Sequence, residues 1–306
     1  MEGIMMRGPK KQAIVINTDD TKEGFVVSCE DVTLPKDRFP LLGIVFIRGI
    51  ANFIHTIMVG MKALTYSTEF ALEGASEEEG ESKFDKWLNE KLGKKNADKV
   101  IMAIAVVLAI VLVIGLFMFL PTFLAGLLAN LLYETIDSNI LRNVSEGIIR
   151  IVIFIIYLWF SSRLKDIERV WGYHGAEHKA IYCYEKRLPL TVENVREQST
   201  RHPRCGTSFL FVVILVSILV FSFTTVSGVW MRVGMRLLLL PIVIAISYEI
   251  IRVAGRYDNT LTRIITAPGR ALQRLTTSEP DDVMIETAIE ALSHVIPENS
   301  DEARLQ

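Results

Sequence analysis

Long runs of apolar residues dominate the chain from residue 100 onward. The clearest run, VIMAIAVVLAIVLVIGLFMFL at 100–120, carries no charged residue. A helix of about 20 apolar residues crosses a bilayer core about 30 Å thick, so this run suits one crossing. Further candidate spans lie at 147–162, which contains Arg150, at 208–226 and at 233–253. The pattern predicts a mostly α-helical, polytopic membrane protein with about four transmembrane helices.

Other apolar stretches are shorter or more polar than these spans. Residues 121–132, which begin at Pro121, are expected to form a re-entrant or interfacial half-helix. In residues 41–64, the polar positions Arg48, Asn52 and His55 recur three and four apart, so they share one helical face. That spacing favours a helix lying on or dipping into the membrane surface, with a further crossing as the alternative.

The ends of the chain carry smaller elements. Residues 12–17 and 25–29 are apolar runs around a polar turn, which predicts a small N-terminal β-hairpin. Residues 73–81 are acidic and indicate a flexible linker, and 82–95 place apolar residues on one stripe among lysines, as in an interfacial amphipathic helix. Residues 280–296 predict a capped amphipathic helix that packs on the cytoplasmic domain or on a partner.

These elements divide the chain into four parts. The predicted order is a cytoplasmic hairpin segment at 1–40, interfacial helices with the acidic linker at 41–97, a transmembrane domain at 98–253 whose cytoplasmic loop is 163–207, and a cytoplasmic tail at 254–306.

Charge sets the expected orientation and excludes one class of partner. The loop 163–207 carries nine Lys or Arg and the connection 121–146 carries only Arg142, so the first faces the cytoplasm and both termini lie there too. A net charge of -2 argues against a protein that coats nucleic acid, and three cysteines are too few for a disulfide framework. The expected partners are the lipid bilayer and, as a possibility left open, another membrane protein.

The candidate chemistry starts at His174-x-x-Glu177-His178, in WGYHGAEHKAIYCYE at 171–185. Histidines four apart on a helix point the same way, so His174 and His178 can hold one cation. Glu177 could bind that cation or act as a general base toward a water molecule. The alternative is that both histidines are surface residues near lipid headgroups.

A second fragment, RHPRCGTSF at 201–209, lies at the other end of the same loop. His202 and Cys205 are three apart, a spacing common in paired metal ligands, and a reduced cysteine binds metal as its thiolate. Three histidines and one cysteine would complete a tetrahedral zinc set, whereas three of them would leave an open position. A divalent metal, with Zn²⁺ preferred, is therefore the expected cofactor.

Two further residues have weaker claims. Glu249 lies near the end of the last apolar run, where an acid usually has a partner. Pairing with Arg252 is the favoured interpretation, and an additional metal ligand is the alternative. Arg7, before a Gly-Pro turn, could bind an anionic group, although pairing with a carboxylate that fixes the hairpin is slightly favoured.

The motifs also carry a family resemblance. EGIMMRGP at 2–9, HGAEHKAI at 174–181, HPRCGTSF at 202–209 and LTTSEPDD at 275–282 together resemble the YqhQ-like family of bacterial membrane proteins, in order along nearly the whole chain. The resemblance implies a bacterial protein of the cytoplasmic (inner) membrane. Metal dependence in that family is itself a prediction, so the resemblance does not choose a chemistry.

Two functions follow as hypotheses. In the first, the protein is a zinc-dependent hydrolase in which Glu177 acts on water at the membrane surface. In the second, it is a non-enzymatic membrane factor whose metal ties the cytoplasmic loop together and which binds another membrane protein or a biogenesis machine. Three protein ligands beside a free Glu177 favour the hydrolase, and four favour the binding factor.

Overall fold

The computed structural model describes residues 2–18, 24–74, 91, 93–132, 139–203, 205–226, 228–257 and 259–297. These residues divide into two compact units. The first unit comprises Met1–Ala71, Ile155–Ser217 and Leu240–Gln306, and the second comprises Leu72–Phe154 and Ile218–Leu239. Most of the described chain is helical, which confirms the predicted fold class.

A three-stranded antiparallel sheet opens the first unit. Its strands are β1 (Gly3–Arg7), β2 (Lys11–Asn17) and β3 (Phe25–Asp31), in the order β1-β2-β3. The predicted hairpin is β2 and β3, with Ala13 opposite Cys29. Strand β1 was not predicted, and it exists because Ile4 and Met6 alternate with outward residues and bury one apolar face.

The helices follow in chain order. They are α1 (Pro35–Arg38), α2 (Ile47–Gly74), α3 (Lys94–Ile114), α4 (Leu120–Leu132), α5 (Asn139–Ser161), α6 (Lys165–Glu185), α7 (Val192–Arg196), α8 (Gly206–Ser222), α9 (Val229–Arg256), α10 (Thr260–Thr276) and α11 (Asp282–Ser293). The predicted acidic linker and the interfacial helix at 82–95 fall mainly on residues 75–90, which lie outside the described residues, so both stay predictions.

Within the described residues, three stretches are long and apolar enough to cross a bilayer: Val100–Leu128, Leu141–Ser161 and Val229–Arg256. They correspond to three of the four predicted spans. The fourth apolar run forms α8, which has 17 residues and measures about 25 Å at 1.5 Å per residue. This length is at the lower limit for a crossing. The protein is therefore a membrane protein by the length and composition of its helices.

The expected half-helix at 121–132 is wrong as a separate element. A π-helical turn at Gly115–Phe119 joins α3 directly to α4, so one continuous helix passes through Pro121. Proline lacks an N–H and clashes with the carbonyl one turn earlier, and the wider π turn relieves that clash. The proline therefore marks an irregularity inside a span and not the start of a new element.

The polar face predicted on α2 packs against protein. Arg48 forms an ion pair with Glu249, and the Asn52 side chain donates to the Tyr248 hydroxyl at 2.8 Å. Gly49 lies between them, where a Cβ would be 3.0 Å from the Tyr248 side chain. The face that appeared suited to headgroups is thus satisfied by α9, and α2 is not among the spans found in the described residues.

The core of the first unit is built around α6 and α11. The predicted C-terminal helix is present, and the Asp281 side chain caps it by accepting from the Met284 N–H. Its buried residues pack with β1, β2 and one face of α6 in a single apolar cluster, which includes Ile4, Met6, Val15, Tyr173, Ala176, Ala180, Met284, Ile285 and Leu292. This packing fixes which face of α6 remains for chemistry.

Candidate metal centre

The two histidines of α6 lie side by side on the helix. One face of α6 packs into the core through Tyr173, Ala176, Ala180 and Cys183. His174 and His178 lie on another face, with ring centroids 4.4 Å apart. The spacing of four residues in HGAEH therefore brings two imidazoles together, as predicted.

Backbone carbonyls orient both imidazole rings. Nδ1 of His174 lies 2.7 Å from the Thr276 carbonyl oxygen, and Nδ1 of His178 lies 2.5 Å from that of Thr200. A carbonyl only accepts, so each Nδ1 carries a hydrogen, and the neutral form of each ring would keep a lone pair on Nε2. Metal-binding histidines in proteins are usually held in this way.

Cys205 supplies a third donor atom to the pair. Its Sγ lies 3.2 Å from Nε2 of His174, and the ligand atoms of His174, His178 and Cys205 all lie within 4.8 Å of one another. Tetrahedral zinc, with bonds of about 2.0 Å to nitrogen and about 2.3 Å to sulfur, holds such atoms about 3.5 Å apart. The three residues fit a metal of that size with small adjustments.

The surroundings of Cys205 favour its thiolate form. Burial alone disfavours the charge, but hydrogen bonds and the positive potential from His178, together with Thr207, outweigh burial and lower the thiol pKa. The Thr207 hydroxyl lies 3.2 Å from Sγ. The lowered pKa favours the thiolate, which is the form of cysteine that binds metal.

His202 lies beside this cluster and has other contacts. Its Nε2 is 3.3 Å from a carboxylate oxygen of Glu185, and its ring centroid is 5.8 Å from that of His178. Its backbone is fixed by Gln273, which accepts from the His202 N–H and donates to its carbonyl, both at 2.8 Å. The structure brings together three of the four predicted ligands, and His202 is the one left aside.

Glu177 lies between the histidine cluster and a cleft of about 1020 Å³. Burial raises its pKa, and the nearby His174 opposes that shift. Within the described part of the chain, the Glu177 carboxyl makes no hydrogen bond, whereas the neighbouring His174 and His178 are both anchored. Glu177 is therefore free to accept a proton from a group that enters from the cleft.

Arg7 lines the same cleft, with Arg187 and Arg256. Among the described residues, its Nη2 is buried and has no hydrogen-bond partner, and burial lowers the pKa of the guanidinium. The favoured expectation, a carboxylate partner for Arg7, finds no support in these contacts. The arrangement instead leaves a guanidinium directed toward cleft contents.

The expectations for Glu249 need correction. Both of its carboxylate oxygens bind Arg48, with Nε to Oε1 at 2.7 Å, so Arg48 is the ion-pair partner, and the predicted partner Arg252 contributes only a charge interaction. Glu249 is also outside the group of three ligand atoms found in the described residues. The pairing joins residues 201 positions apart, which no local spacing could indicate.

Sequence reasoning missed the residues that hold the histidines in place. Thr276 belongs to the LTTSEPDD segment, which was noticed only as a motif. The one sign of this contact in the sequence is Gly175. A Cβ at that position would overlap the carbonyl oxygen of Ser278. A glycine between the two histidines thus lets this segment approach α6 closely enough to bind His174.

Comparisons with known proteins agree with the resemblance seen in the motifs. The chain is 32% identical over 304 residues to the "Uncharacterized protein YqhQ" of Bacillus subtilis (strain 168), covering 97% of this chain and 90% of that protein. No solved structure matches it. The family model described as "Protein of unknown function (DUF1385)" matches residues 44–298. The chain therefore belongs to the DUF1385 family, which includes YqhQ.

Proposed function

We propose that this protein is a membrane-anchored, zinc-dependent hydrolase whose metal is held by His174, His178 and Cys205. The observation that carries the proposal is the pair of carbonyl contacts that orient both Nε2 atoms beside the Cys205 sulfur. An unliganded surface histidine has no need of such anchoring. Two nitrogens and one sulfur are donors that zinc prefers.

Three protein ligands are typical of catalytic zinc, which keeps one position for water or substrate. When bound, zinc would act as a Lewis acid and make water more acidic. Glu177 would take up the proton, because its carboxyl is buried, lies near His174 and has no hydrogen bond to the residues that the structure describes. Arg7 would bind a negatively charged group of the substrate in the cleft, through the Nη2 that lacks a partner among the described residues.

The second candidate is the binding factor with a structural metal. It is favoured by the position of His202, whose ring contacts both His178 and Tyr182, at centroid distances of 5.8 and 4.7 Å. A change of its side-chain rotamer would supply a fourth ligand and close the site. A metal ion with four protein ligands would hold the loop in place and would leave no position for water or substrate.

The decisive experiment compares Glu177→Gln with Glu168→Gln, a matched change at an exposed position of the same helix. Metal content of the purified, untagged protein and complementation of a deletion strain are measured on each variant. The hydrolase proposal expects Glu177→Gln to retain about one zinc per chain and lose complementation, whereas Glu168→Gln keeps both. Full complementation by metal-loaded Glu177→Gln would overturn the hydrolase and leave the binding factor.

Orientation is part of the same proposal. The excess of Lys and Arg in 163–207 favours a metal site on the cytoplasmic side of a bacterial inner membrane, with both termini there. A cysteine introduced at Glu197 should react only with a permeant reagent in intact cells, and one at Ser138 should also react with an impermeant reagent. The opposite pattern would reverse the orientation.

A further inference from the structure

A second polar cluster lies inside the second unit, among its apolar helices. Four arginines approach one another there: Arg142 and Arg150 on α5, and Arg232 and Arg236 on α9. Arg150, Arg232 and Arg236 are 6%, 4% and 2% exposed. Arginine is rarely buried at such positions without a partner, so the cluster needs a counter-charge.

Glu146 is the one acid that the described residues place in this cluster. It is fully buried, and its Oε1 binds Arg236, accepts from the Thr122 hydroxyl at 2.6 Å and lies 3.5 Å from Arg150. One carboxylate offsets one guanidinium. Among the described residues, Arg142, Arg232 and Arg236 together carry about two more charges than this carboxylate, in a medium where unpaired charge is costly.

Neutral acceptors also bind arginines of this cluster. Arg150 donates to the Phe117 carbonyl at 2.8 Å, and Arg232 donates to the Asn143 side chain at 3.0 Å. Asn143 is itself fixed by the carbonyls of Phe221 and Thr224. These contacts orient the guanidinium groups but supply no negative charge.

Specific donors in the cluster remain unused. Among the described residues, Nε of Arg232 and Nε of Arg142 are buried without a hydrogen-bond partner, and so is Oε2 of Glu146. Arg232 is almost wholly buried, so water is an inefficient substitute for its missing partner. Arg142 lies near both Arg232 and Arg236, and grouped guanidinium donors match the oxygens of a phosphate.

We propose that this cluster is a binding site for a phosphate-type oxyanion, held by Arg142, Arg232 and Arg236. Glu146 adds a requirement: its open oxygen accepts a hydrogen bond, so the ligand carries a hydroxyl or amine close to its phosphate. A phospholipid headgroup and a free hydrogen phosphate ion both have this chemistry. The residues of this site differ from those of the histidine cluster. The proposal therefore does not depend on the hydrolase proposal.

The test uses the full chain, purified in a non-ionic detergent and exhaustively delipidated, and compares Arg232→Gln with Arg163→Gln. Arg163 is an exposed arginine just after α5 that contacts the Trp159 ring at 5.1 Å, so it controls for loss of charge. Thermal unfolding is followed while inorganic phosphate, phosphatidylglycerol or an uncharged glycolipid is added. Lipid retained before delipidation is identified by native mass spectrometry.

We expect phosphatidylglycerol or phosphate to raise the unfolding temperature of wild type and Arg163→Gln, and the glycolipid to have no effect. Binding should be weakened about tenfold or more in Arg232→Gln, since a charge-assisted hydrogen bond is lost. A response to the lipid alone identifies a headgroup site, and an equal response to inorganic phosphate identifies a free-anion site. Equal responses in Arg232→Gln and wild type, or none to either anion, would overturn the proposal.

If the glutamine variant fails to accumulate, Arg232→Lys is tested instead, because it retains the charge and replaces the planar set of guanidinium donors with a single ammonium group. It should bind the anion more weakly than wild type. Glu134 and Asp137, which precede α5 and lie outside the described residues, are the alternative source of negative charge within the chain. If their combined change to Gln and Asn mimics loss of the anion, while added anion has no effect on wild type, the counter-ion is internal and the proposal fails.

Discussion

The histidine cluster and the arginine cluster lack opposite kinds of partner. Around His174 and His178, backbone carbonyls accept from both Nδ1 atoms, and the ligand atoms of the two rings lie within 4.8 Å of each other and of the Cys205 sulfur. Around Arg232, the Asn143 side-chain oxygen accepts from one donor, the Glu146 carboxylate binds the neighbouring Arg236, and among the described residues the Nε hydrogen of Arg232 remains unused. The first arrangement suits a cation and the second an anion. The kind of atom left unsatisfied therefore indicates the charge of the ligand more directly than residue type does.

The largest expected effect is the loss of zinc when a proposed ligand in the histidine cluster is replaced. Cys205→Ser and His178→Ala should each reduce zinc from about one per chain to near zero, because removing one of three ligands leaves too few for tight binding. Cys29→Ser, at an exposed thiol on β3, is the matched control and should retain its zinc.

The zinc content of His202→Ala distinguishes a three-ligand site from a four-ligand site. Retained zinc is expected, since His202 contacts Glu185 and lies outside the three-ligand group. Loss of zinc equal to that of Cys205→Ser would show a four-ligand site and would support the structural metal instead.

The next effect concerns the carboxylate of the arginine cluster. Glu146→Gln leaves Arg236 without its ion-pair partner, and breaking a buried pair costs about 3–5 kcal/mol. A large drop in the unfolding temperature in detergent is expected. Glu249→Gln breaks the more exposed pair with Arg48, in which the side chains are 23% and 19% accessible, and should have a smaller effect. Equal effects would remove the distinction between the two pairs.

A moderate effect is expected at the glycine between the histidines. In Gly175→Ala, the new Cβ overlaps the Ser278 carbonyl, so the segment that binds His174 must move, at a cost on the order of 2 kcal/mol. Zinc affinity should fall along with stability. Gly60→Ala on α2 meets no atom within 4 Å and should be neutral or slightly stabilising, because alanine favours helix. A zinc affinity unchanged in Gly175→Ala would show that Thr276 does not position His174.

The smallest effect should be seen at the contact between β1 and α6. Glu2 is partly buried, which raises its pKa, but hydrogen bonds from Arg169 and Tyr173 outweigh burial and leave the pKa below its ordinary value of 4.5. Its contribution to stability is therefore present above about pH 4.5 and is lost as the pH falls through the lowered value.

Glu2→Gln should accordingly destabilise the protein by about 1 kcal/mol at neutral pH. The difference from wild type should vanish in acid, as measured by thermal unfolding across a pH series. A difference that grows in acid would contradict the assigned direction of the pKa shift.

Sequence patterns predicted the parts of the fold that depend on local periodicity. The apolar runs became long helices, and His174 and His178 met because a spacing of four residues fixes their direction. Strand β1 was missed because five residues give little periodicity, and Pro121 was interpreted as a break because a π turn has no sequence signature. Long-range pairing could not be predicted from local patterns: Arg48 pairs with Glu249, which is 201 positions away in the sequence.

The arginine cluster shows a different limit. Arg232 and Arg236 lie at the start of the apolar run at 233–253, and hydropathy averages a helix over all its faces, so the run gives no sign that these charges are buried. Their burial depends on Glu146, Thr122 and Asn143, which come from other helices. Only the assembled second unit shows that these charges point inward. Sequence therefore indicated the proposed cation site and not the proposed anion site, because only the histidine pair rests on a local spacing.

The short link between α5 and α6 limits how far the chemistry can reach. Only residues 162–164 separate the end of a membrane-spanning helix from the helix that carries the histidines. His174 lies nine residues beyond Lys165, about 14 Å along the helix axis, and Cys205 directly precedes the apolar helix α8. The tether is thus short and stiff at both ends. In the proposed hydrolase, a target would have to bring its susceptible bond to within roughly that distance of the bilayer, so the anchor would select membrane-bound targets over freely diffusing ones.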